Sequence, residues 1–517
     1  MSKTGLGRMA GIAMVGKSVT GGSWIAPLFA LAVLLLLFQP QAARAEWHRI
    51  ETPEFALQAD MEPEAIRTLG VQLLDLDLLL RQMFGVSGPG RGRRVEMIVY
   101  GDHAQLMAEA GLPGFAAGFF NANPVENFIL LPATDRGDDG FDPVATLRHE
   151  YTHYFMLRHV GNRQPGWFME GAASFFETAY RSADDTMRYG AAPPQIVAFL
   201  NDVGGTTFDQ LEQPSGLRHD VEKMGRFYAQ GWLTTHHLYM GGEQAPNIRA
   251  YLDAMEKSGK ADASLFTGGA AQFDRDLDAW FTAGVPPEKI VAMPPADAST
   301  IRLRALTSGE IALIGMRLEF YRQSSKVSNF STGVKAQEAF LTRIGEIVAA
   351  HPGDPVVGAF SVKMLLALDS GHSSASDLET LLDPVGTTTD DRILRARVMT
   401  RGADEGPPAE FQGRIASARR ILDEILRQDP GNVDALYATF ENIREDEGAS
   451  DAAIIYLAKA LAIDPNNGAW LMELLELYLR DGRKKDAVAL LRPVANMPHG
   501  GPEVEEAAAQ IKSLGGL

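Results

Sequence analysis

Five consecutive residues, His149-Glu150-Tyr151-Thr152-His153, carry the clearest chemical signal in this chain. On a helix, positions i and i+4 stand one above the other on the same face, so His149 and His153 can turn two imidazoles towards one ion. Glu150 lies one step round, beside such an ion rather than on it. Two neutral nitrogens, one carboxylate and an open position for water form a ligand set that suits zinc. A carboxylate follows in a fitting context. Pro165-Gly166-Trp167-Phe168-Met169-Glu170 reads as a turn opening a second helix, and Glu170 comes 17 residues after His153. That interval lets one helix end, a loop turn and a second helix return. A bare H-E-x-x-H also arises by chance. The glutamate in a second helix framed by Trp, Gly and Ala argues against coincidence.

HEYTH followed by PGWFMEGAASFFE resembles the gluzincin metallopeptidases, the clan of thermolysin, and most of all the peptidase MA-like subgroup. The resemblance covers about residues 50–290 and is sharpest over 145–178. It implies an α+β domain, a small mixed sheet with active-site helices, that holds one zinc ion on His149, His153 and Glu170. Glu150 is then the general base for peptide-bond hydrolysis. In gluzincins the strand before the metal helix is the sheet edge on which an extended substrate lies. By that resemblance Asn127–Leu131 would take up substrate as an added strand, with Asn127, Phe128 and Ile129 in contact; an ordinary buried strand is the plain reading of the same residues. Gluzincins also return a helix past the site with a Tyr or His for the oxyanion. Phe227-Tyr228-Ala229-Gln230-Gly231-Trp232 is similar to the start of that helix. Tyr228 is the candidate, His236 and His237 are alternatives, and packing or surface exposure is the plain reading of all three. Ser174 and Glu177, four and seven residues past Glu170, fall near the ligand face as outer-shell candidates. Glu177 either orients a ligating histidine or is exposed.

The elements that must position these groups are legible around them. Asp142-Pro143 suits a cap and first turn for the metal helix, which runs to about Arg158. The second helix spans about Phe168 to Tyr180. His159 falls off the ligand face and reads as surface. Upstream, FALQAD alternates like a short strand. Residues 63–84 place Ile66, Leu69, Leu73, Leu76, Leu80 and Met83 at helical spacing, a core stripe. Gly85 to Arg94 is a Gly/Pro/Arg loop, with Arg91, Arg93 and Arg94 read as solvated. Val95–Tyr100 is a strand, Asp102–Ala110 a short helix, and Gly118–Phe120 and Phe128–Leu131 two more strands. Arg136-Gly137-Asp138 spells an adhesion tripeptide, accidental in so acidic a loop. Residues 246–284 finish the domain as helices, with Phe273, Leu277, Trp280 and Phe281 as core.

The two ends differ in character. Lys3, Arg8 and Lys17 precede a 14-residue, nearly all apolar run from Ile25 to Phe38, and no acid occurs before Glu46. With Pro40 and the Ala43-Arg44-Ala45 cleavage pattern, residues 1–45 read as a signal peptide, so the mature chain is periplasmic or secreted; an uncleaved membrane anchor is the alternative. Loss of Lys3, Arg8, Lys17 and Arg44 moves the formal charge from −18 to −22, a poor match for nucleic acid or anionic lipid. With no cysteine, an exported chain is held by its core alone and has no thiol chemistry. Residues 46–290 form the metallopeptidase-like domain. Residues 291–304 form a linker, and beyond it only helices are expected. Asp429-Pro430-Gly431-Asn432 and Asp464-Pro465-Asn466-Asn467 recur 35 residues apart. This resembles tetratricopeptide repeats, clear over 411–517 and degenerate over 305–410, whose concave face usually binds a peptide or protein; the alternative is an array that only braces the domain before it.

Three functions fit: an exported zinc endopeptidase whose repeats bind a partner or substrate, a non-catalytic repeat scaffold with a relic metallopeptidase fold, and a zinc hydrolase acting on cell-wall peptides.

Overall fold

The computed structural model describes residues 46–517 except 89, 91, 102–105, 107–117, 123–124, 134–141, 162–163, 213–219, 260, 325–333, 369–373, 403–406, 448–449, 466, 496–501 and 516–517. The signal segment 1–45, the Arg136-Gly137-Asp138 tripeptide and, apart from Leu106, the short helix at Asp102–Ala110 lie outside the described residues. Among the described residues no helix is long and apolar enough to cross a membrane.

A mixed sheet of six strands carries the first half of the chain. β1 (Trp47–Glu51) and β2 (Phe55–Asp60) form an antiparallel pair, and α1 (Pro63–Phe84) crosses to β3 (Val95–Val99), parallel to β2. β4 (Phe119–Ala122) and β5 (Asn127–Leu131) follow, β5 parallel to β3 and β4 antiparallel to β5. The order is β4-β5-β3-β2-β1-β9, with β9 (Arg302–Ala305) antiparallel to β1. The first five residues of FALQAD are buried on both faces, because β2 sits inside the sheet with α1 packed over it. α1 ends at Gly85, whose φ of 65° is the left-handed cap a glycine adopts without cost.

Two expectations fail here. β5 is an interior strand, hydrogen-bonded to β4 on one side and β3 on the other, so neither edge can take up another strand. Asn127, Phe128 and Ile129 are buried, and the edge on that side of the sheet is β4. The expected linker is also more than a connection, since β9 begins inside it at Arg302, runs to Ala305 and closes the opposite edge of the sheet.

The elements that carry the candidate ligands, and those packed behind them, follow the sheet: α2 (Pro143–His159), α3 (Gly166–Phe176), the strands β6 (Tyr180–Arg181) and β7 (Met187–Tyr189), α4 (Pro194–Asp202), α5 (Phe208–Glu212), α6 (Val221–Met240), α7 (Ala245–Ser258) and α8 (Gly269–Thr282). β8 (Lys289–Val291) pairs with β7 in a small second sheet. One core cluster runs from α1 and the sheet through Tyr151, Phe155, Trp167, Phe175 and Trp232 to Phe273 and Leu277.

After β9 the chain is helical: α9 (Ser308–Ser324), α10 (Val334–Ala350), α11 (Pro355–Leu368), α12 (Ala375–Leu382), α13 (Thr389–Arg401), α14 (Pro408–Gln428), α15 (Val433–Glu447), α16 (Asp451–Ile463), α17 (Gly468–Arg480), α18 (Lys484–Ala495) and α19 (Pro502–Ser513). Successive helices pack on one another along the series. The Asp-Pro turns end one helix and cap the next. Asn432 Oδ1 accepts from Ala435 N at 3.0 Å, and Asn467 Oδ1 from Trp470 N at 3.3 Å. α9 faces two ways. Leu313, Met316 and Phe320 meet α10 and α11, while Ile314 and Leu318 cover Ile98, Phe128 and Leu130 of the sheet.

Candidate metal centre

α2 begins where the sequence says it should: Asp142 accepts from Val144 N at 2.8 Å, with Pro143 in the first turn. Its far side is tied down. Tyr151 donates to Asp77 Oδ1 at 2.8 Å, and Tyr154 Oη lies 3.2 Å from the carbonyls of Glu54 and Arg93. The opposite face presents His149 and His153. α3 starts at Gly166, two residues earlier than expected, and ends at Phe176, so Glu170 is its fifth residue. This helix crosses α6 at backbone contact. A Cβ on Gly171 would stand 2.2 Å from the Gly231 carbonyl oxygen and 2.4 Å from Thr235 Oγ1, and one on Gly231 would stand 2.7 Å from the Trp167 carbonyl oxygen. Only glycine fits at that crossing, and it seats Glu170, 2% exposed, under the two imidazoles.

The three groups converge. His149 Nε2 and His153 Nε2 are 3.1 Å apart, and Glu170 Oε2 lies 3.6 Å from the first and 3.3 Å from the second. Donors held at about 2.0–2.1 Å from a tetrahedral ion stand about 3.3–3.4 Å from one another. The triangle therefore has the size and the nitrogen–nitrogen–oxygen chemistry of a zinc site. Glu177, at the end of α3, is 2.9 Å from His149 Nδ1, and its other oxygen accepts from Gln195 Nε2 at 3.3 Å. A carboxylate at Nδ1 fixes the proton there and leaves Nε2 towards the triangle. Burial opposes protonation of His149, but hydrogen bonds to Glu170 and Glu177 and the charges of Glu177 and Glu150 outweigh it. They hold its pKa up at about 10. This is a cation-seeking pocket.

The remaining candidates are placed unevenly. Ser174 is buried one turn past Glu170. Tyr228, half-buried one turn before Gly231 on α6, packs its ring on Phe227 and joins the core cluster. His236 and His237 are engaged elsewhere. His236 accepts from Trp280 Nε1 at 3.1 Å and its Nε2 is 3.3 Å from the Pro286 carbonyl. His237 Nε2 accepts from Gln244 N at 3.0 Å. Both are buried structural histidines, and burial pushes each pKa down to about 4. His159 is not a surface residue. It is half-buried with its ring 4.5 Å from that of Phe155, and burial with Arg158 and Arg81 holds its pKa down at about 4. His159, Glu54 and Asp77 form a second cluster of metal-ligating types. Arg81 reaches both carboxylates and Arg158 reaches Glu54, so guanidinium groups already supply the cation there.

Two C-terminal helix pairs, α15–α16 and α17–α18, are each opened by an Asp-Pro turn whose asparagine caps the first helix. Residues 445–511 match the tetratricopeptide repeat family model. No curated protein and no solved structure matches the chain. Tetratricopeptide repeats commonly bind protein partners. In this array Tyr437 stacks on Trp470 at 4.4 Å, and Arg397 forms a two-pronged pair with Glu441.

The array also overturns the reading of one loop residue. Arg93 is not solvated. Its guanidinium reaches Asp464 in the turn before α17 and lies 5.0 Å over the Trp470 ring. Nothing near the loop signals this, because the acidic partner lies 371 residues away.

Proposed function

We propose that this protein is an exported, zinc-dependent metallopeptidase of gluzincin type whose helical repeats engage a protein partner. The observation that carries the reading is the triangle of His149 Nε2, His153 Nε2 and Glu170 Oε2, with sides of 3.1, 3.3 and 3.6 Å. Its size and donor types suit a tetrahedral ion with one position left for water. Bound zinc supplies a Lewis acid that brings the pKa of water to about 7 and polarises a carbonyl. Glu150, on the turn that carries His149, is the base that takes the proton of the attacking water and passes it to the leaving amine. Glu177 holds the His149 ring by Nδ1. Tyr228 is the candidate donor to the oxyanion. The peptide would add along β4, whose outer edge has no partner strand among the described residues. The basic and apolar N-terminal segment supports export.

The test is metal analysis and casein hydrolysis on the chain from Glu46, beside Glu150→Gln and His149→Ala. The expected result is about one zinc per chain and proteolysis in the parent, zinc without proteolysis in Glu150→Gln, and neither in His149→Ala. A parent chain that holds no zinc at micromolar free metal refutes the proposal. Proteolysis that survives in Glu150→Gln removes the assigned base.

A further inference from the structure

The repeats meet the metal domain at a joint built around one arginine. Loop residues 86–94 run from α1 to β3, and Gly92 has a φ of 78°. A Cβ there would stand 3.3 Å from Ile463 Cγ2, so a glycine both makes the turn and admits the repeat turn against the loop. Arg93, with a side chain 7% exposed, then enters the array. Its Nη2 and Nε lie 2.6 and 3.1 Å from Asp464 Oδ2, and its guanidinium carbon lies 5.0 Å over Trp470. The Asp464 side chain is 6% exposed and Trp470 is 1% exposed. A buried carboxylate beside a buried indole face is a receptor for a planar cation, and guanidinium fits it better than ammonium. Asp434, at the start of α15, adds negative charge to the same place. The third nitrogen, Nη1, and Asn127 Oδ1 of β5 have no hydrogen-bond partner among the described residues, and both residues line a cavity of about 20 Å³, the room of one water. A water there would accept from the guanidinium and donate to the amide.

We propose that Asp464 and Trp470 form a guanidinium-binding site of the repeat array, and that its resident ligand is Arg93 of the same chain. The array is then a clamp on its own metal domain. The clamp reaches the metal helix by a short route. The carbonyl of Arg93 is 3.2 Å from Tyr154 Oη, and Tyr154 adjoins His153. An external arginine-bearing peptide takes this site only by expelling the loop. The inference stands independently of hydrolysis at the metal centre.

The experiment uses the full chain from Glu46, its Arg93→Ala form and the Arg93→Ala/Asp464→Asn double variant, each checked for native helicity by circular dichroism. The probe is a fluorescent peptide of residues 88–96, GPGRGRRVE. Anisotropy should show it binding Arg93→Ala, where the site is vacated, and binding the parent and the double variant at least about tenfold more weakly. A peptide with Ala in place of Arg93 should not bind. Equal binding to all three proteins, or none to a folded Arg93→Ala chain at millimolar peptide, overturns the proposal. If Arg93→Ala does not fold, hydrogen exchange on the parent replaces it. Millimolar N-acetylarginine amide should deprotect residues 92–95 and 464–470 together, and N-acetyllysine amide should not. Unchanged protection, or equal deprotection by both, again overturns it.

Discussion

Gly171→Ala is the smallest change that tests how Glu170 is positioned. The added methyl would stand 2.2 Å from the Gly231 carbonyl oxygen, whereas an ordinary contact is about 3.4 Å or more, so α3 and α6 must part by roughly 1.2 Å. Two effects compete. Alanine is favoured over glycine inside a helix by about 1 kcal/mol. Overpacking against rigid surroundings costs about 1–3 kcal/mol, and a backbone obstacle puts this site at the upper end. The net loss is about 2 kcal/mol, or roughly 4–8 °C in Tm for a domain of this size. Zinc affinity should fall with it. Glu170 is the preceding residue, and a metal ligand tolerates only about 0.2 Å of displacement. Differential scanning fluorimetry and chelator competition read the two effects. The second variant Gly171→Ala/Thr235→Ala removes the obstacle at Thr235 Oγ1 but not the carbonyl, and should recover at most part of the loss. A Gly171→Ala chain with parental Tm and parental zinc affinity would refute the close-crossing account.

Glu177→Ala removes the acceptor at His149 Nδ1 and should weaken zinc binding by about 10- to 100-fold in a competition titration, while Gln195→Ala does far less. His236 and His237 titrate near pH 4 when folded and near 6.5 when unfolded. The unfolded chain therefore binds more protons, so stability is complete above about pH 6.5 and falls as the pH drops towards 4, by up to roughly 3 kcal/mol for each histidine. In urea melts His236→Phe should flatten that slope, and an unchanged slope would show that other groups cause it. Glu96→Ala should cost about 1.5–3 kcal/mol, because it removes the carboxylate that grips the Arg49 guanidinium with both oxygens inside the sheet and leaves Glu51, at 2.7 Å, to offset that charge. A loss below 1 kcal/mol in chemical denaturation would show that water reaches Arg49.

The parts of this molecule written in local spacing were legible before the fold was known. The i, i+4 histidines, the apolar stripe of α1 and the Asp-Pro turns each depend on residues a few positions apart. The distance from His153 to Glu170 was legible only as an interval long enough for a return. The neighbours of a strand are not local. β5 reads the same at an edge or inside a sheet, and β4 before it and β3 on its far side decided the matter. Val95–Val99 is recognisable as a strand, but nothing near Arg302 announces that it will pair with Glu51. Arg93 was misread for a related reason. A cation in a glycine-rich loop is normally solvated, and its carboxylate and indole lie in another part of the chain. Gly171 and Gly231 do carry a local signal: two glycines inside helices, where alanine would be preferred unless two backbones touch.

The dual role of α9 bears on how this protein could be divided. Ile314 and Leu318 shield the face of the sheet that shows Ile98, Phe128 and Leu130, and β9 just before them supplies its last rung. A fragment ending near residue 290 would bare that oily surface and a raw strand border together, and would be sticky rather than autonomous. The solenoid is thus grafted into the globule that precedes it, and the two halves inherit a shared seam.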